Sequence, residues 1–261
     1  MIRKVLSVAV ATGFVVGLVM ALVLHLTTTP LILKAEVYEK AAHVSEGKSV
    51  ASTTLRPPSV FLLAHSHDAP TGGAQAPAAK HEDSGWQPEE GFQRTAATTI
   101  ATIAAALGYA LVLLGLMLVA RERIDARTGL LWGLAAFAAS GLAPALGLAP
   151  ELPGSAAADL LQRQIWWGAT TLASAIAIYL LACKSQATAK AAGVALLIAP
   201  HIIGAPHPAS FESTAPAELA ARFAAASLVV HALLWCLVGL SVGWLWTRVG
   251  ADVPKLVGAP A

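Results

Sequence analysis

Histidine and carboxylate side chains are concentrated in two short polar stretches of an otherwise apolar chain of 261 residues. The stretches HSHD and HED contribute His65, His67, Asp68, His81, Glu82 and Asp83. Imidazole nitrogen suits Zn²⁺, Ni²⁺ and Co²⁺, and carboxylate oxygen suits harder ions. The thiolate and thioether ligands that select Cu(I) are rare, because the chain has only two Cys and three Met. These residue types predict capture of Co²⁺, Ni²⁺ or Zn²⁺; solvated loop histidines without a ligand role are the alternative.

The elements that must position these groups are membrane helices. Apolar residues make up 56% of the chain and charged residues 12%, about half of the ~25% that is usual in soluble domains. We therefore expect an all-α integral membrane protein. Six segments without formal charge are candidate transmembrane helices: Val5–Leu26, Ala96–Ala120, Gly129–Leu148, Ile165–Cys183, Ala191–Ile203 and Phe223–Trp246. Five of them reach the roughly 20 residues that cross a bilayer, whereas Ala191–Ile203 is short, contains Pro200, and is either a sixth span or a re-entrant segment.

Lysine and arginine residues in the short connections set the expected orientation. Basic residues precede the first span, lie between the second and third, and separate the fourth from the fifth. Because short cytoplasmic loops are enriched in Lys and Arg, we predict that both termini are cytoplasmic and that segment 27–95 is outside. Residues 1–261 then form a single polytopic membrane domain, with 27–95 as its polar, partly disordered outer loop. The apolar core of the first span is too long for a cleaved signal peptide, so we expect a retained anchor.

The outer loop is expected to have an ordered beginning. The stretch LILKAEVYEKAAH predicts a helix that continues beyond the bilayer, with Glu36, Glu39 and His43 on one face. Residues 45–80 are rich in Ser, Ala, Pro and Gly, which is typical of a poorly ordered loop.

All eight histidines lie on the outer side in this topology. His25 and His201 end the first and fifth spans, His207 follows in the last outer loop, and His231 lies within the sixth span. Ionisable side chains within spans usually face the bundle interior and mark functional pathways. We expect His201 and His231 to meet near the outer third of the bilayer, and interhelical hydrogen bonds are the alternative role.

Small residues at four-residue steps accompany two of these histidines. The two stripes are Gly13, Gly17, Ala21, His25 and Ser227, His231, Trp235, Gly239, Gly243. Such stripes let membrane helices approach closely. Both stripes are therefore predicted to lie on packed helix faces.

Several classes of protein are disfavoured. The two cysteines, Cys183 and Cys236, form no Cys-x-x-Cys motif, so neither a disulfide framework nor a thiolate metal site is expected. No nucleophile–base pair or carboxylate dyad stands inside the predicted membrane region, so we do not expect an enzyme. The pI of about 8.6 follows from the basic loops and gives no reason to expect a nucleic-acid partner.

Five stretches of the chain resemble the CbtA family of predicted cobalt transporter subunits: TTPLILKAEVYE, HEDSGWQPEEGFQRTAAT, GLAPALGLAPELPG, RQIWWGATTLASAIAIYLLA and PHIIGAPHP. The similarity runs from Thr28 to the last span. The resemblance implies cobalt uptake linked to cobalamin synthesis in a bacterial inner membrane. It also implies a small single-span partner, CbtB, with a histidine-rich tail. The loop 45–80 departs from the family in its Ala and Pro content, so His65 and His67 need not correspond to a shared site.

The sequence is thus interpreted as a six-span protein that captures a divalent ion, Co²⁺ before Ni²⁺ or Zn²⁺, on its outer face. The HSHD and HED residues would collect the ion. The residues that would pass it inward are His201, His207, His231, His25, Glu36, Glu39 and His43. No nucleotide-binding motif is visible, so energy must come from a partner, the membrane potential or an ion gradient. The alternatives are a membrane redox protein with haem on His201 and His231, and a metal sensor that does not transport.

Overall fold

The regular structure of the described residues is entirely helical. The computed structural model describes residues 1–52, 88–89 and 91–249, with side chains in the first range described only to residue 42. The helices are α1 (Ile2–Leu26), α2 (Thr28–Ser52), α3 (Phe92–Val119), α4 (Ala126–Phe137), α5 (Ala143–Ala145), α6 (Leu160–Cys183), α7 (Ala187–Ile203) and α8 (Ala217–Arg248), with a π-helical segment, Ala138–Leu142, between α4 and α5.

Five helical stretches are long and apolar enough to cross a bilayer: α1, α3, Ala126–Ala145, α6 and α8. Most of them begin or end beyond the charge-free segments expected from the sequence, because flanking polar residues continue the helix outside the apolar region. α8, for example, begins at Ala217, six residues before Phe223. The sequence therefore locates the membrane part of each helix better than its ends.

The chain ends of the bundle lie on one face, which we call the terminal face. The Lys4 ammonium lies 4.4 Å from the ring centroid of Trp246, so the start of α1 adjoins the end of α8. Gly243 of α8 packs against the backbone of Asp125, in the connection between α3 and α4. The opposite face, which we call the α2 face, carries the connections 146–159 and 204–216.

The short helix α7 runs from one face to the other. It follows α6, whose last residue Cys183 shares a cleft with Glu122 of the terminal face. Its other end, at Ile203, shares a cavity with Gln162 in the first turn of α6, near the α2 face. A helix of 17 residues is about 26 Å long, slightly under the roughly 30 Å of a hydrocarbon core. The ends of α7 thus lie toward opposite faces, as a sixth pass requires, although α7 is shorter than the five helices that are long enough to cross a bilayer.

Glycine contacts hold the central helices together. A Cβ atom on Gly239 of α8 would overlap the carbonyl oxygen of Gly129 on α4, and a Cβ on Gly129 would overlap that of Gly239. There is likewise no room for a side chain at Gly13 of α1, because a Cβ there would lie 2.6 Å from the Cβ of Leu107 on α3. The close packing predicted from the two small-residue stripes is confirmed at their glycines but is wrong for His25, which is exposed at the end of its stripe.

These contacts fix the order of the helices. α1 packs on α3 and α8, α8 packs on α4, the π-helical segment packs on α6, and α6 packs on α7. The buried core lies where α1, α3 and α8 meet, and its largest fully buried side chains include Val8, Val16, Met20, Leu113, Leu114, Met117, Val238 and Val242. The α6–α7 pair is thus attached to the core through the third span.

The third span is irregular at a proline. Pro144 has no N–H to donate to the Ser140 carbonyl four residues earlier, and a proline ring crowds that carbonyl in a regular helix. The π-helical segment widens the turn here, and the Trp167 Nε1–H of α6 donates to the Ser140 oxygen at 3.2 Å. Such π segments are frequent at functional sites. This one brings Gly141 beside His231 of α8.

Segment 27–95 is more helical than expected. The predicted helical continuation is confirmed, but α2 extends to Ser52, so residues 45–52 are helical rather than part of a loop. Residues 92–95 belong to α3. Of the remaining predicted loop, residues 53–87 and 90 lie outside the described part of the chain.

Candidate functional site

His231 is a half-buried residue of α8, one helical turn from Trp235. The Trp235 Nε1–H donates to His231 Nε2 at 2.9 Å, so the neutral imidazole carries its proton on Nδ1. The ring also faces Phe137 of α4, with centroids 6.0 Å apart. The hydrogen bond lies within one helix, whereas the alternative drawn from the sequence was an interhelical bond. Because the two residues stand four apart, the sequence spacing alone could have indicated this contact.

A cavity of about 430 Å³ lies beside His231, between α8, α6 and the π-helical end of the third span. We call it the His231 chamber. Its polar lining consists of Ser140, Glu151, Arg163, Gln164, Trp167, Ser227 and His231. Six water molecules occupy about 180 Å³ in the liquid, so the chamber has the volume for a divalent ion with its hydration shell.

An ion pair lies at the α2-face end of the chamber. Arg163 Nη2, one turn into α6, is 2.7 Å from Glu151 Oε2 in the preceding connection. The two side chains are 29% and 27% exposed, so they are partly withdrawn from water. Neither residue was identified from the sequence, because a carboxylate and an arginine twelve positions apart show no motif. The chamber therefore combines a carboxylate near the surface with an imidazole deeper in the bundle.

His201 and His231 lie on helices that are not neighbours in the bundle. His201 is half-buried near the end of α7, where its ring meets the edge of Trp166 of α6 with centroids 6.0 Å apart. α6 and the third span lie between α7 and α8. The expected meeting of the two imidazoles is therefore not seen, and they do not face each other as two axial haem ligands would. His207 is exposed in the connection after α7.

Glu36 of α2 binds an arginine instead of standing free. Both Arg94 Nη atoms donate to its carboxylate, at 3.0 and 2.5 Å, and join α2 to the first turn of α3. The hydrogen bonds and charge of Arg94 hold the pKa of Glu36 below its ordinary value. At neutral pH this carboxylate is thus ionised and already occupied by Arg94.

The other predicted residues on the α2 side are spread out. Glu39 is half-buried and its Cβ lies close to Gly154, in the connection that leads to α6. His25 is exposed at the end of α1 and lines a groove with Arg94 and Thr99. His43 lies on α2, where its side chain is outside the described part of the chain.

The six predicted collecting residues also fall outside the described residues. They are His65, His67, Asp68, His81, Glu82 and Asp83. Within residues 1–42, 88–89 and 91–249, no three His, Cys, Asp or Glu side chains stand close enough to hold a metal ion together. Among the described residues, His, Asp and Glu side chains thus stand singly or in ion pairs, and the His231 chamber contains one carboxylate and one imidazole.

Long apolar helices joined by glycine contacts define a multi-pass α-helical membrane protein, here with a polar chamber near one face. Residues 2–247 match the family described as "Probable cobalt transporter subunit (CbtA)". Since the match covers nearly the whole chain, the chain belongs to this family, and the resemblance seen in the sequence is confirmed. No curated protein and no solved structure matches the chain. Membership of a cobalt transporter subunit family indicates a membrane environment, a transported metal ion and at least one further subunit.

Proposed function

We propose that this chain is the subunit through which Co²⁺ crosses a bacterial inner membrane on its way into the cell, where it supplies cobalamin synthesis. The observation that carries the proposal is the His231 chamber, which combines a carboxylate, an imidazole and a volume suited to a hydrated divalent ion. The family supplies the metal and the transport role. Ni²⁺ and Zn²⁺ share the ligand chemistry and are the competing cargoes. The role is transport without catalysis of a chemical reaction.

Capture and passage are assigned to different residues. His65, His67 and His81, with the carboxylates beside them, raise the local concentration of the ion outside. Glu151 and His231 then offer ligands in the chamber, the imidazole through Nε2 once the metal has taken the place of the Trp235 N–H on that atom. His201, His207 and His25 lie toward the α2 face. Glu36 is not assigned a ligand role, because both Nη atoms of Arg94 hold its two carboxylate oxygens, whereas Arg163 contacts Glu151 through Nη2.

Energy and assembly come from outside the chain. The membrane potential supplies about 4.6 kcal/mol per 100 mV to a divalent ion that moves inward, twice the value for one charge. A small single-span, histidine-rich subunit of the CbtB type is the partner that we propose. Its histidines would receive or deliver the same ion.

The proposed orientation places the α2 face outside and both termini in the cytoplasm. The basic residues Lys4, Arg121 and Arg127 at the terminal face support it. A reporter fused after Ala261 should therefore give a cytoplasmic signal, and one inserted between Gly72 and Gly73 should give an external signal. An external signal from the Ala261 fusion would contradict the six-pass arrangement. A cytoplasmic signal from the fusion between Gly72 and Gly73 would contradict the proposed position of the loop outside the cell.

Cobalt uptake by cells that express the chain, compared with cells that carry an empty vector, tests the proposed function. Wild type should accumulate Co²⁺ above the vector at limiting metal. Replacing His65, His67 and His81 together by Ala should raise the half-saturating Co²⁺ concentration and leave the maximal rate unchanged, because capture weakens while the route persists.

The matched control for the triple variant replaces Ser66, Gln75 and Ser84 by Ala in the same loop. It should behave as wild type. Unchanged uptake at limiting Co²⁺ in the histidine variant would show that the loop histidines do not collect metal. No uptake above the vector by wild type, with or without the partner subunit, would contradict transport itself.

A further inference from the structure

The ion pair between Glu151 and Arg163 lies where an incoming cation could replace the arginine at the carboxylate. Both side chains line the His231 chamber, and both remain partly exposed on the α2 side. The pair is therefore where a cation that enters the chamber from the α2 face first meets a carboxylate. In the described part of the chain, the chamber lining contains no other acidic side chain.

We propose that Glu151 is the first metal ligand of the chamber, and that Arg163 is an internal competitor which occupies this carboxylate when no metal is bound. The proposal rests on the proposed function, since it assigns the ligand class and the order of events at the same chamber. A divalent cation carries twice the charge of a guanidinium and displaces it from Glu151. The long side chain of Arg163 then moves its charge toward water at the mouth of the chamber.

The proposal predicts opposite effects for the two partners. Glu151→Gln removes the ligand and should raise the half-saturating Co²⁺ concentration. Arg163→Gln removes the competitor and should lower that concentration about tenfold, the factor that corresponds to a charge-assisted pair of this length. A purely structural ion pair predicts the same direction for both, because either change leaves one partly buried charge without its partner.

A second ion pair serves as the matched control. Arg222 Nη2 and Glu218 Oε1 are also 2.7 Å apart, one turn apart on α8 near the α2 face, but they are well exposed and lie outside the chamber. Glu218→Gln and Arg222→Gln should leave the half-saturating Co²⁺ concentration unchanged. A shift in these variants equal to that in the chamber variants would show a general effect of surface charge.

The measurement is calorimetric titration of Co²⁺ into the purified full-length protein, in parallel with uptake by cells. Thermal unfolding of each variant identifies any that do not fold. If Glu151→Gln does not fold, Glu151→Asp, which keeps the carboxylate, is compared with Glu151→Ala. Glu151→Asp should then bind Co²⁺ more tightly than Glu151→Ala. Tighter binding by Arg163→Gln and weaker binding by Glu151→Gln are the expected results. Shifts in the same direction, or none, would overturn the competitor role. Binding with these opposite shifts but without cellular uptake would contradict transport and leave the ligand assignment in place.

Discussion

Gly239→Leu should leave almost no folded protein in the membrane. A side chain at this position would enter the space of the Gly129 backbone, and a neighbouring backbone cannot yield as the tip of a flexible side chain can. α8 also packs on α1, so a shift away from α4 would disturb the core. Overpacking typically costs about 1–3 kcal/mol, and because backbone meets backbone here we expect a loss at or above the upper end of that range.

The matched control for this change is Gly115→Leu in α3. Gly115 is exposed, and a Cβ placed there meets no atom within 4 Å. The abundance of folded protein after detergent extraction, and its thermal unfolding, should be close to wild type for Gly115→Leu and strongly reduced for Gly239→Leu. Equal stability of the two variants would show that α4 and α8 do not pack through their glycines.

The regular features of the fold could be predicted from the sequence because each depends on a local pattern. The apolar stretches identified the membrane helices, and the four-residue steps through Gly13 and Gly239 identified packed faces. The first signal follows from the apolar core of the bilayer, and the second follows from the helical repeat and the absence of a side chain on glycine. The start of α2 was likewise predicted from its polar helical periodicity.

The features that were missed depend on which helices become neighbours. His201 and His231 were both expected in the same third of the bilayer, which suggested a pair, but α6 lies between α7 and α8. Glu151 and Arg163 meet only because the connection before α6 folds back on its first turn. The π-helical segment occurs beside Pro144 and the hydrogen bond from Trp167, and in the sequence the proline alone indicates only an irregularity.

The second large effect is expected at His231. Gln at this position can still accept the hydrogen bond from Trp235 through its amide oxygen, but an amide is a poor ligand for a borderline divalent ion. His231→Gln should therefore insert and fold while losing uptake. A packing role alone would predict near-normal uptake, because the contact with Trp235 is retained.

Trp235→Phe separates the ligand role of His231 from its hydrogen bond. The substitution removes the indole donor and keeps an aromatic ring near Tyr109, whose centroid lies 4.8 Å from that of Trp235. It should lower stability by about 1–3 kcal/mol through lost packing. It should retain uptake, because it leaves Nε2 of His231 unoccupied and available to the metal. Loss of uptake in Trp235→Phe together with normal uptake in His231→Gln would assign the role to the tryptophan instead.

Cobalt uptake by the His231→Gln variant tests most directly whether Co²⁺ passes through the His231 chamber. Uptake is measured from limiting to saturating Co²⁺, with the partner subunit present, and is divided by the amount of folded protein in the membrane. The predicted result is uptake equal to that of the empty vector at every concentration, because a ligand that every ion must use cannot be replaced by more metal. Uptake close to wild type at saturating or limiting Co²⁺ would contradict passage through the chamber.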